Sequence, residues 1–127
     1  MKMRYEIPGY MTLDIQNVVM DFNGTIAVDG VMKETVKQRI IQLAEYYRVY
    51  VLTSDTRGTA KRELANLPIM LEIYNTDNAG ECKRHFVDEL GGDFCACIGN
   101  GKNDELMFKA AALSIAILET EGLYAPL

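Results

Sequence analysis

Asp21 stands at the end of the apolar run Val18-Val19-Met20 and opens the stretch Asp21-Phe22-Asn23-Gly24-Thr25. A carboxylate fixed where a buried strand ends, with donor groups around it, can attack phosphorus or hold a hard cation. Gly24 lets the backbone turn at little steric cost, Asn23 brings an amide and Thr25 a hydroxyl. Two more polar clusters follow apolar runs directly. Thr53-Ser54-Asp55 comes after Val49 to Leu52, and the loop GNGKND, 99–104, comes after Phe94 to Ile98. Each cluster alone reads equally well as an ordinary turn. Three of them, each placed just past an apolar strand, form a pattern.

The elements that must position these clusters are legible from periodicity. Residues 3–16 alternate around Pro8-Gly9, which predicts a short hairpin leading into the core. Val18 to Phe22 is apolar almost throughout, as in a strand covered on both faces. Val36, Ile40, Leu43, Ala44 and Tyr47 recur at helical spacing, and 49–53 reads as a second buried strand. A short helix through Ala60, Leu64 and Leu67 is stopped by Pro68. Then follow a strand over 69–74, a helix over 81–90 ended by Gly91-Gly92, a strand over 94–98, a helix through Leu106 and Ala110, and a fifth strand over 113–118. Strands alternating with helices imply a parallel sheet between two helix layers, and ligands then sit beyond the carboxyl ends of the strands. All three polar clusters would open onto that edge.

In this order the clusters resemble the haloacid dehalogenase (HAD) superfamily of phosphotransferases, nearest to the phosphorylation domain of P-type ATPases and its soluble relatives. The resemblance covers nearly the whole chain. DFNGT stands where that family has its nucleophile motif, and Thr53-Ser54-Asp55 where the ATPases carry Thr-Gly-Asp. Lys83 precedes the fourth core strand as the family's lysine does, and GNGKND takes the place of the loop written GDGxND. The resemblance implies a three-layer α/β/α Rossmann-like fold over residues 1–127 and a phosphatase using an aspartyl-phosphate on Asp21. It implies that Thr53 bonds a phosphoryl oxygen and that Lys83 holds the nucleophile and balances charge. Gly24, Thr25 and Ser54 would surround the phosphate. Mg²⁺ would be bound by Asp21, the backbone carbonyl of Asn23, Asn100 and Asp104. Backbone amides of 22–25, and a helix starting near Asn103, would add donors.

Two positions depart from the family pattern. Its phosphatases carry a second Asp, a general acid and base, where this chain has Asn23, which exchanges no proton near neutral pH. General acid–base help is worth ~10²–10⁴-fold, so slow hydrolysis or a long-lived phosphoenzyme is expected. Asn100 replaces the first acid of the GDGxND loop and brings no formal charge, so weaker metal binding is expected. The insertion point of a cap is short as well, with about eight residues between Thr25 and the first helix. An essentially uncapped site is open to a small or macromolecular phosphorylated substrate, or to cover from a second copy of the chain.

Composition bounds the alternatives. The 127 residues are 49% apolar with mean hydropathy near zero, which suits one folded domain. A net charge of −5 gives no basic face for a nucleic-acid groove. No run approaches the ~18 apolar residues of a membrane span, and the amino end lacks a signal-peptide core, so a cytoplasmic protein is expected. Cys82, Cys95 and Cys97 make an odd count suited to a reducing compartment. Cys95 and Cys97 should share one face of a strand as core residues, and His85 in the run Lys83-Arg84-His85 should be solvated. A receiver-type signalling domain would carry its acceptor Asp on the third strand, and here the order is wrong. As a dinucleotide loop, GNGKND puts Asp104 where the third glycine belongs, and no Ser or Thr follows Lys102 as in a phosphate-binding Walker loop. A HAD-fold scaffold that has lost catalysis remains the alternative to an enzyme.

Overall fold

The computed structural model describes residues 3–6, 12–55, 58–100 and 104–117. Strands β1 (Met3–Glu6) and β2 (Thr12–Ile15) pair antiparallel, with Met3 opposite Ile15, as a ribbon separate from the main sheet. Pro8-Gly9, the turn expected for this hairpin, lies outside the described residues. Only Gln16 separates the ribbon from the main sheet. Its N–H donates to the Phe94 carbonyl and its carbonyl accepts from Arg48 N–H, which ties the ribbon to the sheet's amino-terminal end.

The main sheet contains β3 (Asn17–Asp21), β4 (Arg48–Thr53), β5 (Met70–Ile73), β6 (Cys95–Gly99) and β7 (Leu113–Ala116). Their spatial order is β5-β4-β3-β6-β7, and every neighbouring pair is parallel. The chain moves outward from β3 through β4 to β5, then crosses back to β6. The reversal of strand order therefore falls between β3 and β6, where a doubly wound sheet opens its binding crevice. Leu118, expected at the end of the last strand, lies outside the described residues.

Side chains alternate across the sheet and divide the core in two. Val18 and Met20 of β3 pack with Val49 and Val51 against α1 (Glu34–Ala44) and α2 (Ala60–Leu64), which contribute Ile40 and Leu64. Val19 faces the other way, with Tyr50, Leu52, Cys95 and Cys97. That side is covered by α3 (Ala79–Leu90) through Val87 and by α4 (Glu105–Ala110) through Met107. The fold is thus three layers, helix–sheet–helix, as the alternating pattern predicts. Near-continuous apolar runs in β3 and β4 follow from burial on both faces.

The helix boundaries shift by small amounts. α1 starts at Glu34 and α3 at Ala79, each two residues before the point where the apolar period becomes visible. Between Thr25 and α1 there is one small hairpin, in which Val28 and Val31 exchange backbone hydrogen bonds of 2.9 and 3.0 Å. Asp29 and Gly30 at its tip both have positive φ, 51° and 80°, the requirement of a type I′ turn and the reason an Asp-Gly pair stands there. Among the described residues no cap domain occurs, and no helix is long and apolar enough to cross a membrane.

Cys95 and Cys97 share one core face as expected, and both are fully buried. Burial pushes their thiols up from 9.0 to about 11 and about 12. The unfolded chain therefore loses these protons first, and folding stability falls as pH rises from 9 through about 12. Urea denaturation across that window should show the decline, and Cys97→Ala should flatten its slope even while lowering stability at neutral pH.

Candidate active site

Lys83 is the residue that joins the distant parts of the site. It lies one turn into α3 and shares that helix's buried face with Val87, four residues on. The two residues that follow it point outward. Arg84 pairs with Asp88 at 3.7 Å and His85 with Glu89 at 2.7 Å, both on the solvated face. His85 is a surface residue, as its setting in a charged run suggests.

The Lys83 ammonium donates to Asp21 Oδ1 and to Asp104 Oδ1, both at 3.0 Å. The three side chains are 5%, 13% and 0% exposed, so this is a nearly water-free cluster of two carboxylates and one ammonium. Asp21 ends β3, and Asp104 directly precedes α4 beyond β6. Side chains 62 and 21 positions from Lys83 in sequence are thus gathered at the crevice between β3 and β6. Burial lifts the Asp21 carboxyl above its ordinary value, Lys83 pulls against that rise, and Asp104 adds to it. For Lys83, burial opposes the charge, but the two carboxylates outweigh it and hold the ammonium above its ordinary value.

Gly99 makes this arrangement possible. A Cβ at that position would run into the Asp104 carboxylate, which lies against the β6 backbone. Asp104 Oδ2 accepts from Asn100 N–H at 3.3 Å, and Asn100 Nδ2 donates to the Asn23 carbonyl at 3.5 Å. The loops after β3 and β6 are joined through these contacts. Residues 101–103, including the helix start expected near Asn103, lie outside the described residues; α4 itself begins at Glu105.

The turn after Asp21 is organised by its own backbone. Phe22 carbonyl accepts from the amides of Thr25, Ile26 and Ala27, and Gly24 N–H donates to the Ala27 carbonyl at 2.8 Å with Gly24 at φ 81°. The amides of Gly24 and Thr25, expected as phosphate donors, are therefore engaged within the turn. The Thr25 hydroxyl is buried with no hydrogen-bond partner among the described residues. Asn23 Oδ1 accepts from Gly30 N–H at 2.8 Å, so its side chain faces the small hairpin. Thr53 is buried at the end of β4, and its hydroxyl accepts from Asp55 N–H at 3.0 Å. Asp55, at φ 53°, in turn accepts from Ala60 N–H at 3.0 Å and caps α2. Ser54 lies between them, half-buried.

The donors around the cluster suit a hard divalent cation. Asp21, Asp104 and the Asn23 carbonyl offer oxygen only, and two carboxylates against one ammonium leave a net negative charge in a buried place. Asn100, the fourth expected ligand, holds the Asn23 carbonyl through its amide. Among the described residues no group of three or more His, Cys, Asp or Glu side chains is placed to hold a metal, so such an ion would depend on carbonyl and water ligands as well.

No protein-family model matches the chain. Over 39 residues it is 49% identical to the uncharacterized protein MJ0072 of Methanocaldococcus jannaschii, a match covering 31% of this chain and 89% of that protein. The chain belongs to the family of that protein, whose name states no activity. Among the solved structures that share the fold, two cover 80% of this chain. One is the hypothetical protein XCC2798 from Xanthomonas campestris, with a TM-score of 0.66, 19% identity, and coverage of 80% of this chain and 63% of that one. The other is the cobalt-bound deoxy-D-mannose-octulosonate 8-phosphate phosphatase YrbI from Haemophilus influenzae, with a TM-score of 0.57 and 20% identity over 80% of this chain and 68% of that one. The chain thus spans less than two thirds of the first of these structures. At such identities the likeness is one of fold, and that fold is the HAD type.

Three substitutions test the cluster. Lys83→Met should lower folding stability by about 3–5 kcal/mol, because it strands two buried carboxylates. Adding Asp21→Asn in the same chain should recover part of that loss, a non-additivity visible in urea denaturation. Gly99→Ala should cost about 1–3 kcal/mol by forcing the Asp104 carboxylate aside.

Proposed function

We propose that the chain is a divalent-metal-dependent phosphohydrolase acting through an aspartyl-phosphate on Asp21. The observation that carries this reading is the single ammonium shared by Asp21 and Asp104 at the reversal of strand order. A carboxylate used only as a strand end has no need of a buried lysine delivered from a helix 62 residues further along the chain. The HAD-type fold shared with a phosphatase supports the same assignment.

In the first step an Asp21 carboxylate oxygen bonds to phosphorus and the bond to the ester oxygen breaks. The departing oxygen takes its proton from water, since Asn23 has none to give. Water then attacks phosphorus, the Asp21–phosphorus bond breaks, and phosphate leaves. Lys83 holds Asp21 in position and offsets charge on the equatorial oxygens, where the transition state gathers it. Thr53 and the unpartnered Thr25 hydroxyl supply hydrogen bonds to phosphoryl oxygen, with Ser54 and the Gly24 turn shaping the pocket. Mg²⁺, held by Asp21, Asp104, the Asn23 carbonyl and Asn100, would neutralise charge on the transferring group. The absent acid at position 23 supports a likeness to the P-type-ATPase-like branch and a slow turnover.

A site without a cap among the described residues suits a phosphorylated substrate, small or macromolecular. It also suits cover by a second copy, for which edge strand β7 exposes Leu113 and Ile115. A second reading, a HAD-fold binding protein without turnover, is favoured by one observation. The Asn23 and Asn100 side chains are engaged in holding loops rather than turned to a substrate.

Beryllofluoride trapping with Mg²⁺ separates the two. The enzyme should form a stable adduct that Asp21→Ala abolishes, and should cleave members of a phosphate-ester panel that the variant leaves intact. A wild-type chain that forms no adduct and no phosphopeptide containing residue 21 at saturating donor would establish the binding-protein reading.

A further inference from the structure

The backbone of Gly30, at the tip of the hairpin after the nucleophile turn, is held at both of its polar ends by side chains. Asn23 Oδ1 accepts from its N–H at 2.8 Å, and Thr59 Oγ1 donates to its carbonyl at 2.7 Å. One grip comes from the turn that carries Asp21 and the other from the residue preceding α2. A third contact follows directly, since Met32 N–H donates to Glu63 Oε1 at 2.8 Å, again on α2. The hairpin itself is small, with Asp29 and Gly30 both at positive φ and Val28 and Val31 about half exposed. Two backbone hydrogen bonds across it would not by themselves hold such a ribbon in place in water. Its position depends on what grips it from outside.

We propose that Asn23 and Thr59 are positioning residues that clamp Gly30 from opposite sides and so fix the hairpin to the nucleophile turn and to α2. This rests on the phosphohydrolase reading only for its consequence, a preformed wall beside Asp21. The clamp itself is a property of the fold. It gives position 23 a use that needs a hydrogen-bond acceptor and no exchangeable proton. An amide oxygen satisfies that use at every pH. The same contact sets the orientation of residue 23, whose carbonyl faces Asn100. A hairpin joined to the site in this way stands where a cap domain would otherwise enter, and the clamp keeps its approach to Asp21 constant.

Amide hydrogen exchange of the full chain, followed residue by residue by NMR, tests the proposal without reference to activity. The Gly30 amide should be protected in the wild type. Asn23→Ala should speed its exchange roughly tenfold, as expected for loss of one hydrogen bond at a site with no substitute. Thr59→Val should also speed exchange at Gly30, although Thr59 makes no contact with that N–H. Protection should return in Asn23→Asp, which keeps an acceptor, and in Thr59→Ser, which keeps the hydroxyl. The Val51 amide in the sheet core serves as reference and should stay unchanged throughout. Unaltered Gly30 exchange in either Asn23→Ala or Thr59→Val overturns the clamp, as does equal acceleration at Val51 or failure of both conservative variants to restore protection. Failure of the phosphohydrolase reading would show instead as an absent beryllofluoride adduct with the exchange pattern intact.

Discussion

One ammonium placed between two buried carboxylates is the constraint on which the rest of the site depends. Asp21 and Asp104 close a central strand and open a helix, and neither could stay buried beside the other without Lys83. The repulsion between them has to be met inside the protein, because almost no water reaches Asp104. This explains why a lysine occupies a core position of α3, four residues before Val87, where a leucine would pack more simply. The same interaction ties the helix layer on one face of the sheet to the carboxyl ends of β3 and β6.

The loops that frame the cluster are held by a small number of directed contacts. Gly99 leaves room for the Asp104 carboxylate against β6, and Asn100 spans from that carboxylate to the turn after β3. Asp55 turns the chain after β4 through a left-handed conformation and caps α2, whose neighbour Thr59 reaches across to Gly30. Short polar side chains do this work because they reach backbone groups that lie close in space and tolerate unusual φ. The result is a chain of hydrogen-bonded turns that links the loops after β6, β3 and β4.

The absence of a cap within the described residues changes what such linked turns can do. Larger enclosed sites expel water by closing a domain; here a small hairpin at 28–31 is joined to the turn after β3 through Asn23 and Gly30. Its two valines, like Leu113 and Ile115 of β7, are exposed. An amide rather than an acid at position 23 is consistent with a site whose neighbouring wall is fixed in place.

Much of this was determined by the sequence alone. Apolar runs at 18–22 and 49–53 are long enough, and alternate little enough, that only a doubly covered parallel sheet accommodates them, and three polar clusters after such runs locate the site's edge. Asp21, Thr53, Lys83 and Asp104 were legible as candidates because their order along the chain is a one-dimensional signal. Tertiary structure decided what order cannot express. It separated Lys83 from Arg84 and His85, turning one of three adjacent basic side chains into the core, because that choice depends on which face of α3 meets the sheet. It gave Asn23 to Gly30 and Thr59 to the same residue, and it made Gly99 the space for a carboxylate. Those roles arise from contacts between segments that local periodicity treats as independent, and so they become visible only once the chain has closed upon itself.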